Sequence, residues 1–118
     1  MMNKRTVGKN KEEETAAFLA GYGLHVIEKN YRDRFGEIDL IARDGNTLVF
    51  IEVKYRKNAS SGHPEEAVGI SKQRTISKVA QHYMLYKKYP LSTSVRFDVV
   101  AIEGEDIRWH KNAFPFMG

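Results

Sequence analysis

Two segments constrain this chain more than any others: Gly36-Glu37-Ile38-Asp39-Leu40 and Phe50-Ile51-Glu52-Val53-Lys54, separated by a short polar turn at Asp44-Gly45-Asn46. Apolar runs flanking an Asp-Gly turn signal a β-hairpin. Yet Asp39, Glu52 and Lys54 stand among Ile, Leu, Val and Phe, and a charge withdrawn from water is costly unless it finds a partner or a metal. Side chains alternate along a strand, so Glu52 and Lys54 share one face while Ile51, Val53 and Tyr55 take the other; Glu37 and Asp39 likewise share a face. Pairing the two strands lets Asp39 and Glu52 converge at one end of the sheet.

With 118 residues the chain suits one domain, 1–118, with 1–8 expected as a flexible tail. Lys and Arg number 19 against 15 Asp and Glu, a net charge of +4 that mildly favours a polyanionic partner. The absence of cysteine excludes disulfides, thiolate nucleophiles and cysteine-bound zinc or iron–sulfur clusters. No apolar run is long enough to span a bilayer and no signal core follows the basic start, so a soluble cytoplasmic protein without a membrane partner is expected.

The acidic start Glu12-Glu13-Glu14 followed by Ala16 to Ala20 predicts a helix over Asn10–Ala20, ended by Gly21 and Gly23. Helical spacing puts Glu12 on one face with Ala16 and Leu19. Strands are expected at Leu24–Glu28, Glu37–Arg43 and Thr47–Arg56, then a loop at Asn58–Pro64. Ser71 is the expected N-cap of a second helix, with Ile76, Val79, Ala80 and Tyr83 at core spacing up to about Tyr89-Pro90. Val95–Ile102 and Ile107–His110 complete an order α-β-β-β-α-β-β. The fold class is α/β, a mixed β-sheet flanked by helices.

Two carboxylates held close repel unless a cation lies between them. Oxygen donors of this kind suit Mg²⁺ or Mn²⁺, and Lys54 beside them can orient an attacking water and offset charge building on a phosphate. These are the parts of metal-assisted phosphodiester hydrolysis.

The same residues carry a resemblance. Asp39 followed by Glu52-x-Lys54 resembles the PD-(D/E)xK signature of restriction-endonuclease-like nucleases. Gly36 to Ile41, Phe50 to Lys54, the Lys72 helix, Arg96-Phe97-Asp98 and Asn112-Ala113-Phe114 together resemble the small bacterial YraN family, from about Gly8 to Phe114. That family is similar to archaeal Holliday-junction resolvases and has no established function. The resemblance implies a restriction-endonuclease-like core and a catalytic site of Asp39, Glu52 and Lys54, with Asp39, Glu52 and Glu12 as metal ligands. Ile38 replaces the motif's proline. Lys11 stands where the family more often has glycine, so the helical acid is Glu12 or, shifted by one, Glu13.

Plainer roles exist for each residue. Alternating charges on a half-exposed strand commonly form a solvated face; Glu12 can simply favour a helix N-terminus; Glu37 suits an ion pair with Arg32 or Arg34, or an accessory place in the site. Asp98 is expected to be structural, paired with Arg96 or Lys72. The four histidines lack paired spacing, His63 in the loop being the one to watch. Arg56, Lys57, Lys72, Arg74 and Lys78 are candidate nucleic-acid contacts, giving salt-dependent binding if they border the acids. Tyr31 and Tyr55 could stack on unpaired bases or fill a sheet surface. The expected function is a Mg²⁺- or Mn²⁺-dependent nuclease on DNA, branched or otherwise structured, which for a four-way junction implies a homodimer. The alternatives are a non-catalytic nucleic-acid-binding module and a purely structural domain.

Overall fold

The computed structural model describes residues 4–56 and 68–118, with side chains for 11–55 and 68–118. Helix α1 (Lys4–Gly21) leads into strands β1 (His25–Asp33), β2 (Gly36–Asp44) and β3 (Thr47–Arg56), followed by helix α2 (Ile70–Tyr86), β4 (Ser94–Glu103) and β5 (Asp106–His110). This is the expected α-β-β-β-α-β-β order. The five strands lie in the sheet in chain order; all neighbours are antiparallel except β3 and β4, which run parallel with α2 as the crossover between them. A parallel pair needs such a long connection, whereas the antiparallel pairs close with tight turns.

Alternation along β3 explains the layers. Leu48 and Phe50 join Ile38, Phe97 and Val99 under Ile76, Val79, Ala80 and Tyr83 of α2. Val49 and Ile51 face the opposite way and pack with Leu40, Ala42, Val100 and Ile102 against Ala16 and Leu19 of α1. Each Val, Leu, Ile or Phe among them contributes about 1.5–3 kcal/mol when fully buried. The next α2-facing position is Glu52, so the apolar pattern gives way to charge at the carboxyl end of β3.

Element ends depart from the sequence expectation for local reasons. α1 begins at Lys4, ahead of the expected Asn10 and within the segment expected as a tail. Its end is as expected: Gly23 adopts φ +92° and the Leu24 amide returns to the Leu19 carbonyl at 3.1 Å, a left-handed cap that glycine takes without strain. β1 continues to Asp33 rather than stopping at Glu28, because its polar second half is an edge segment paired to β2. The N-cap of α2 is Gly69, not Ser71, with no side-chain cap. Val68 is buried just ahead of it and its carbonyl accepts from Gln73 Nε2 at 2.9 Å, which sets the helix start before Ser71. α2 ends at Tyr86 rather than near Tyr89, since Lys88 turns left-handed at φ +61° and the Tyr89 amide closes on the Met84 carbonyl. The expected loop Asn58–Pro64, with His63, lies outside the described residues.

Asp98 is structural, as expected, and its partner is Arg96. Arg96 Nε and Nη2 donate to its two oxygens at 2.9 and 3.0 Å, Trp109 Nε1 at 2.9 Å and the Asn112 amide at 2.8 Å. Arg96 Nη1 also donates to Asp44 at 2.9 Å. One fully buried carboxylate thus ties β4 to β5, the C-terminal segment and the β2–β3 hairpin. Asp98→Ala leaves the Arg96 charge without its main partner and is expected to cost about 3–5 kcal/mol. Denaturant unfolding measures this; a loss below about 1 kcal/mol would contradict the assignment.

Candidate metal centre

The ladder between β2 and β3 stops at Leu40 opposite Ile51. Past that pair, β2 stays bound to β1 as far as Gly36, and β3 runs on against β4 as far as Arg56. The strands therefore part where Asp39 and Glu52 stand, and the backbone groups left behind need other partners. Asp39 supplies one: its Oδ2 accepts the Val53 amide at 2.7 Å. The side chain is held at the mouth of the split by the same bond that replaces a missing rung.

Acids converge on this opening from three elements. Glu12 of α1, Glu37 and Asp39 of β2 are half-buried, and each offers a carboxylate oxygen within 4.8 Å of the others. Glu12 is on the inward face with Ala16 and Leu19 as its spacing requires, while Glu13 is exposed. Glu52, only 7 % exposed, lies outside that trio but close enough to Asp39 to raise its carboxyl. Glu37 forms the expected ion pair, accepting from Arg32 Nη2 at 2.6 Å, and its carboxylate also lies in the cluster.

Charge compensation is incomplete. Lys72 Nζ stands 3.4 Å from Glu52 Oε2, an ion-pair distance, but outside hydrogen-bonding geometry, so that buried oxygen has no hydrogen bond; Glu12 Oε2 is in the same condition. Burial above all, then the hydrogen bond and charge of Glu52, push the Asp39 carboxyl up to about 9, against a pull from the Val53 amide. Burial likewise raises Glu12, partly offset by a hydrogen bond from Asn30 and reinforced by Glu37 and Glu52. Raised this far, the Asp39 carboxyl keeps a proton at neutral pH. A divalent ion would displace that proton and satisfy the bare oxygens. A hard, all-oxygen donor set of this kind fits Mg²⁺ or Mn²⁺.

The remaining expected residues are spread around the opening. Lys54 is half-buried, two positions beyond Glu52 and so on its face, and no carboxylate among the described residues is paired with it. Lys72 is drawn to Glu52, whereas Arg74 and Lys78 are exposed along α2. Arg56 ends β3 opposite Glu103; its side chain and all of Lys57 lie outside the described residues. Tyr31 packs edge-on against Tyr83 at 4.8 Å, a core role. Tyr55 is 41 % exposed with the Lys11 ammonium 5.0 Å above its ring.

Sequence reasoning missed Asn30. It holds φ +54° inside β1, between the pairs Lys29–Leu40 and Tyr31–Ile38 and hence across from Asp39, and it lowers the Glu12 carboxyl against the effect of burial. Asparagine is among the few residues that accept this left-handed conformation. An asparagine within a strand-like run was the available signal.

Comparison with known proteins places the chain. The sequence profile described as "Uncharacterised protein family UPF0102" matches residues 11–102. A UPF0102 protein of Lachnoclostridium phytofermentans is 50% identical over 117 residues, covering 99% of each chain. Relatives from Nitrosospira multiformis and Caldicellulosiruptor saccharolyticus are 46% and 40% identical, each across 96% of this chain and across 96% and 100% of their own.

A raised acid loses its stabilising proton as pH climbs, so the metal-free fold loses stability relative to acid conditions between about pH 4, the ordinary carboxylate range, and about 9. Cation binding runs the other way. Between pH 6 and 8, Mn²⁺ affinity is expected to rise by up to about tenfold per pH unit, one proton leaving per ion. Thermal melts across Mn²⁺ and pH read this. Asp39→Asn should abolish the Mn²⁺ shift and raise the metal-free melting temperature at pH 8; a Mn²⁺ shift of equal size in both proteins would contradict the site.

Proposed function

We propose, from the premise that this chain belongs to the uncharacterised protein family UPF0102, that it is a divalent-metal-dependent nuclease acting on DNA. The observation that carries this reading is the convergence of Glu12, Glu37 and Asp39, with buried oxygens of Glu12 and Glu52 that lack a hydrogen bond, at a break in the sheet next to Lys54. Glu12, Asp39 and Glu37 would hold the ion, with Glu52 completing the set through Asp39. Bound there, Mg²⁺ or Mn²⁺ would act as Lewis acid toward a phosphodiester oxygen and lower the pKa of bound water.

The chain's own residues supply the rest. The Val53 amide fixes Asp39 in one orientation. Arg32 fixes Glu37. Lys54, free of acidic partners among the described residues, is available to orient a water and to offset charge on the phosphoryl oxygens as it develops. Exposed Arg74 and Lys78 on α2 extend positive charge away from the acids, as a phosphate backbone requires. A four-way junction substrate would add a second copy of the chain.

One observation favours a binding module without turnover. Lys72 already brings its ammonium to 3.4 Å from Glu52, which relieves part of the charge a metal would otherwise neutralise.

The test is cleavage of a labelled panel (four-way junction, flap, single strand, linear duplex, RNA) with Mg²⁺ or Mn²⁺. Native protein, Glu52→Gln, Lys54→Ala and the exposed-residue control Glu13→Gln are compared. Metal-dependent cleavage should fall by about 10²-fold or more in the two site variants and persist in the control. Equal cleavage in all four proteins would refute the assignment, and salt-sensitive binding without cleavage by the native protein would establish the binding module instead.

A further inference from the structure

The turn joining β1 to β2 carries a group that the acid cluster does not use. Asp33 pairs with Gly36, leaving Arg34 and Phe35 at the tip. Asp33 Oδ1 accepts the Phe35 and Gly36 amides at 2.7 and 3.2 Å, which sets the tip's conformation. The Phe35 ring stacks on His82 of α2 at 4.3 Å. The Arg34 guanidinium lies 4.8 Å from the same ring centre and the Lys78 ammonium 4.7 Å from it.

Two like charges gathered on one ring repel each other, and cation–π attraction at exposed sites is worth only about 0.5–1 kcal/mol. No carboxylate among the described residues pairs with Arg34 or Lys78. The nearest acid in sequence, Asp33, gives its Oδ1 to the turn's amides. Both cations are exposed, while Phe35 and His82 are half-buried and hold them in place. This is the arrangement of an anion site with an apolar floor.

Its position relates it to the acids. Lys72, Thr75, Lys78 and His82 recur three or four residues apart and so form one stripe of α2. Lys72 reaches Glu52; Thr75 lies so close to Gly36 that a Cβ there would stand 2.6 Å from its methyl; Lys78 and His82 meet Phe35. Six residues of helix rise about 9 Å, the advance of about two to three phosphates along one strand.

We propose that Arg34 and Lys78, held over Phe35, form a phosphodiester-backbone subsite that grips one nucleic-acid strand a few nucleotides from the acid cluster. This rests on the nuclease reading and names where that substrate is held. Close packing of Gly36 on Thr75 makes the spacing between the two sites rigid, so the subsite fixes which phosphate meets the acids.

The test is fluorescence anisotropy of labelled single-stranded and duplex DNA in EDTA, over a salt series. It compares native protein, Arg34→Gln/Lys78→Gln, Phe35→Leu and the control Arg43→Gln, an exposed cation at the other end of β2; thermal melts verify folding. The double variant should bind about tenfold or more weakly at 0.1 M salt. Its log–log salt slope on duplex should be shallower by about 1.8, the release of two phosphate contacts. Phe35→Leu should weaken binding less, and the control should match the native protein. Native-like affinity and slope in the double variant, with the native protein binding, would overturn the subsite alone. No salt-dependent binding by the native protein to either DNA would overturn the subsite and the DNA reading beneath it.

Discussion

The hydrogen bond from the Val53 amide to the Asp39 carboxylate is the interaction on which the site depends. Two apolar strands that pair from Asp44 and Thr47 to Leu40 and Ile51 then separate, and an open sheet would ordinarily leave backbone donors bare. Asp39 closes that gap with a side chain. In doing so it is fixed, largely desolvated, where side chains of α1 from one face and α2 from the other meet the strands. Glu12 arrives from the first, Lys72 from the second. The cluster is therefore a consequence of how the sheet splits.

Electrostatics then separates two uses of buried acid in one small fold. Asp98 is fully enclosed and every oxygen is met, by Arg96, Trp109 and the Asn112 amide. It behaves as a structural tie. Asp39 and Glu52 are also largely enclosed, yet burial and the nearby Glu52 raise the Asp39 carboxyl, and neighbouring Glu12 and Glu52 each keep an oxygen without a hydrogen bond. A fold that satisfies one carboxylate so completely and leaves its neighbours short of positive charge is the basis for proposing a cation at the second place. Its other cations stand along α2 and the β1–β2 turn, where a phosphate chain would lie.

Much of this was legible in the sequence because the signals were strong and local. Alternation in β3, the Asp-Gly turn and the helical spacing of Ala16, Leu19, Ile76, Val79 and Tyr83 place the layers, and the misplaced charges point to Asp39, Glu52 and Lys54. What was not legible depends on tertiary contact. The start of α2 at Gly69 follows from the burial of Val68, not from the capping preference of Ser71. Glu37 read as a surface acid or an accessory because its approach to Glu12 exists only once α1 is docked. Asn30 carries no motif; its role comes from a left-handed backbone across from Asp39. The pairing of Arg34 with Lys78 over one ring joins residues far apart in the chain, which no periodicity announces.

Anomalous diffraction from crystals of the native protein soaked in Mn²⁺ tests the cation site directly. A strong peak is expected among the carboxylate oxygens of Glu12, Glu37 and Asp39, with Asp39 still accepting the Val53 amide. A Mn²⁺ peak elsewhere on the protein, with these acids unchanged at saturating metal, would contradict it.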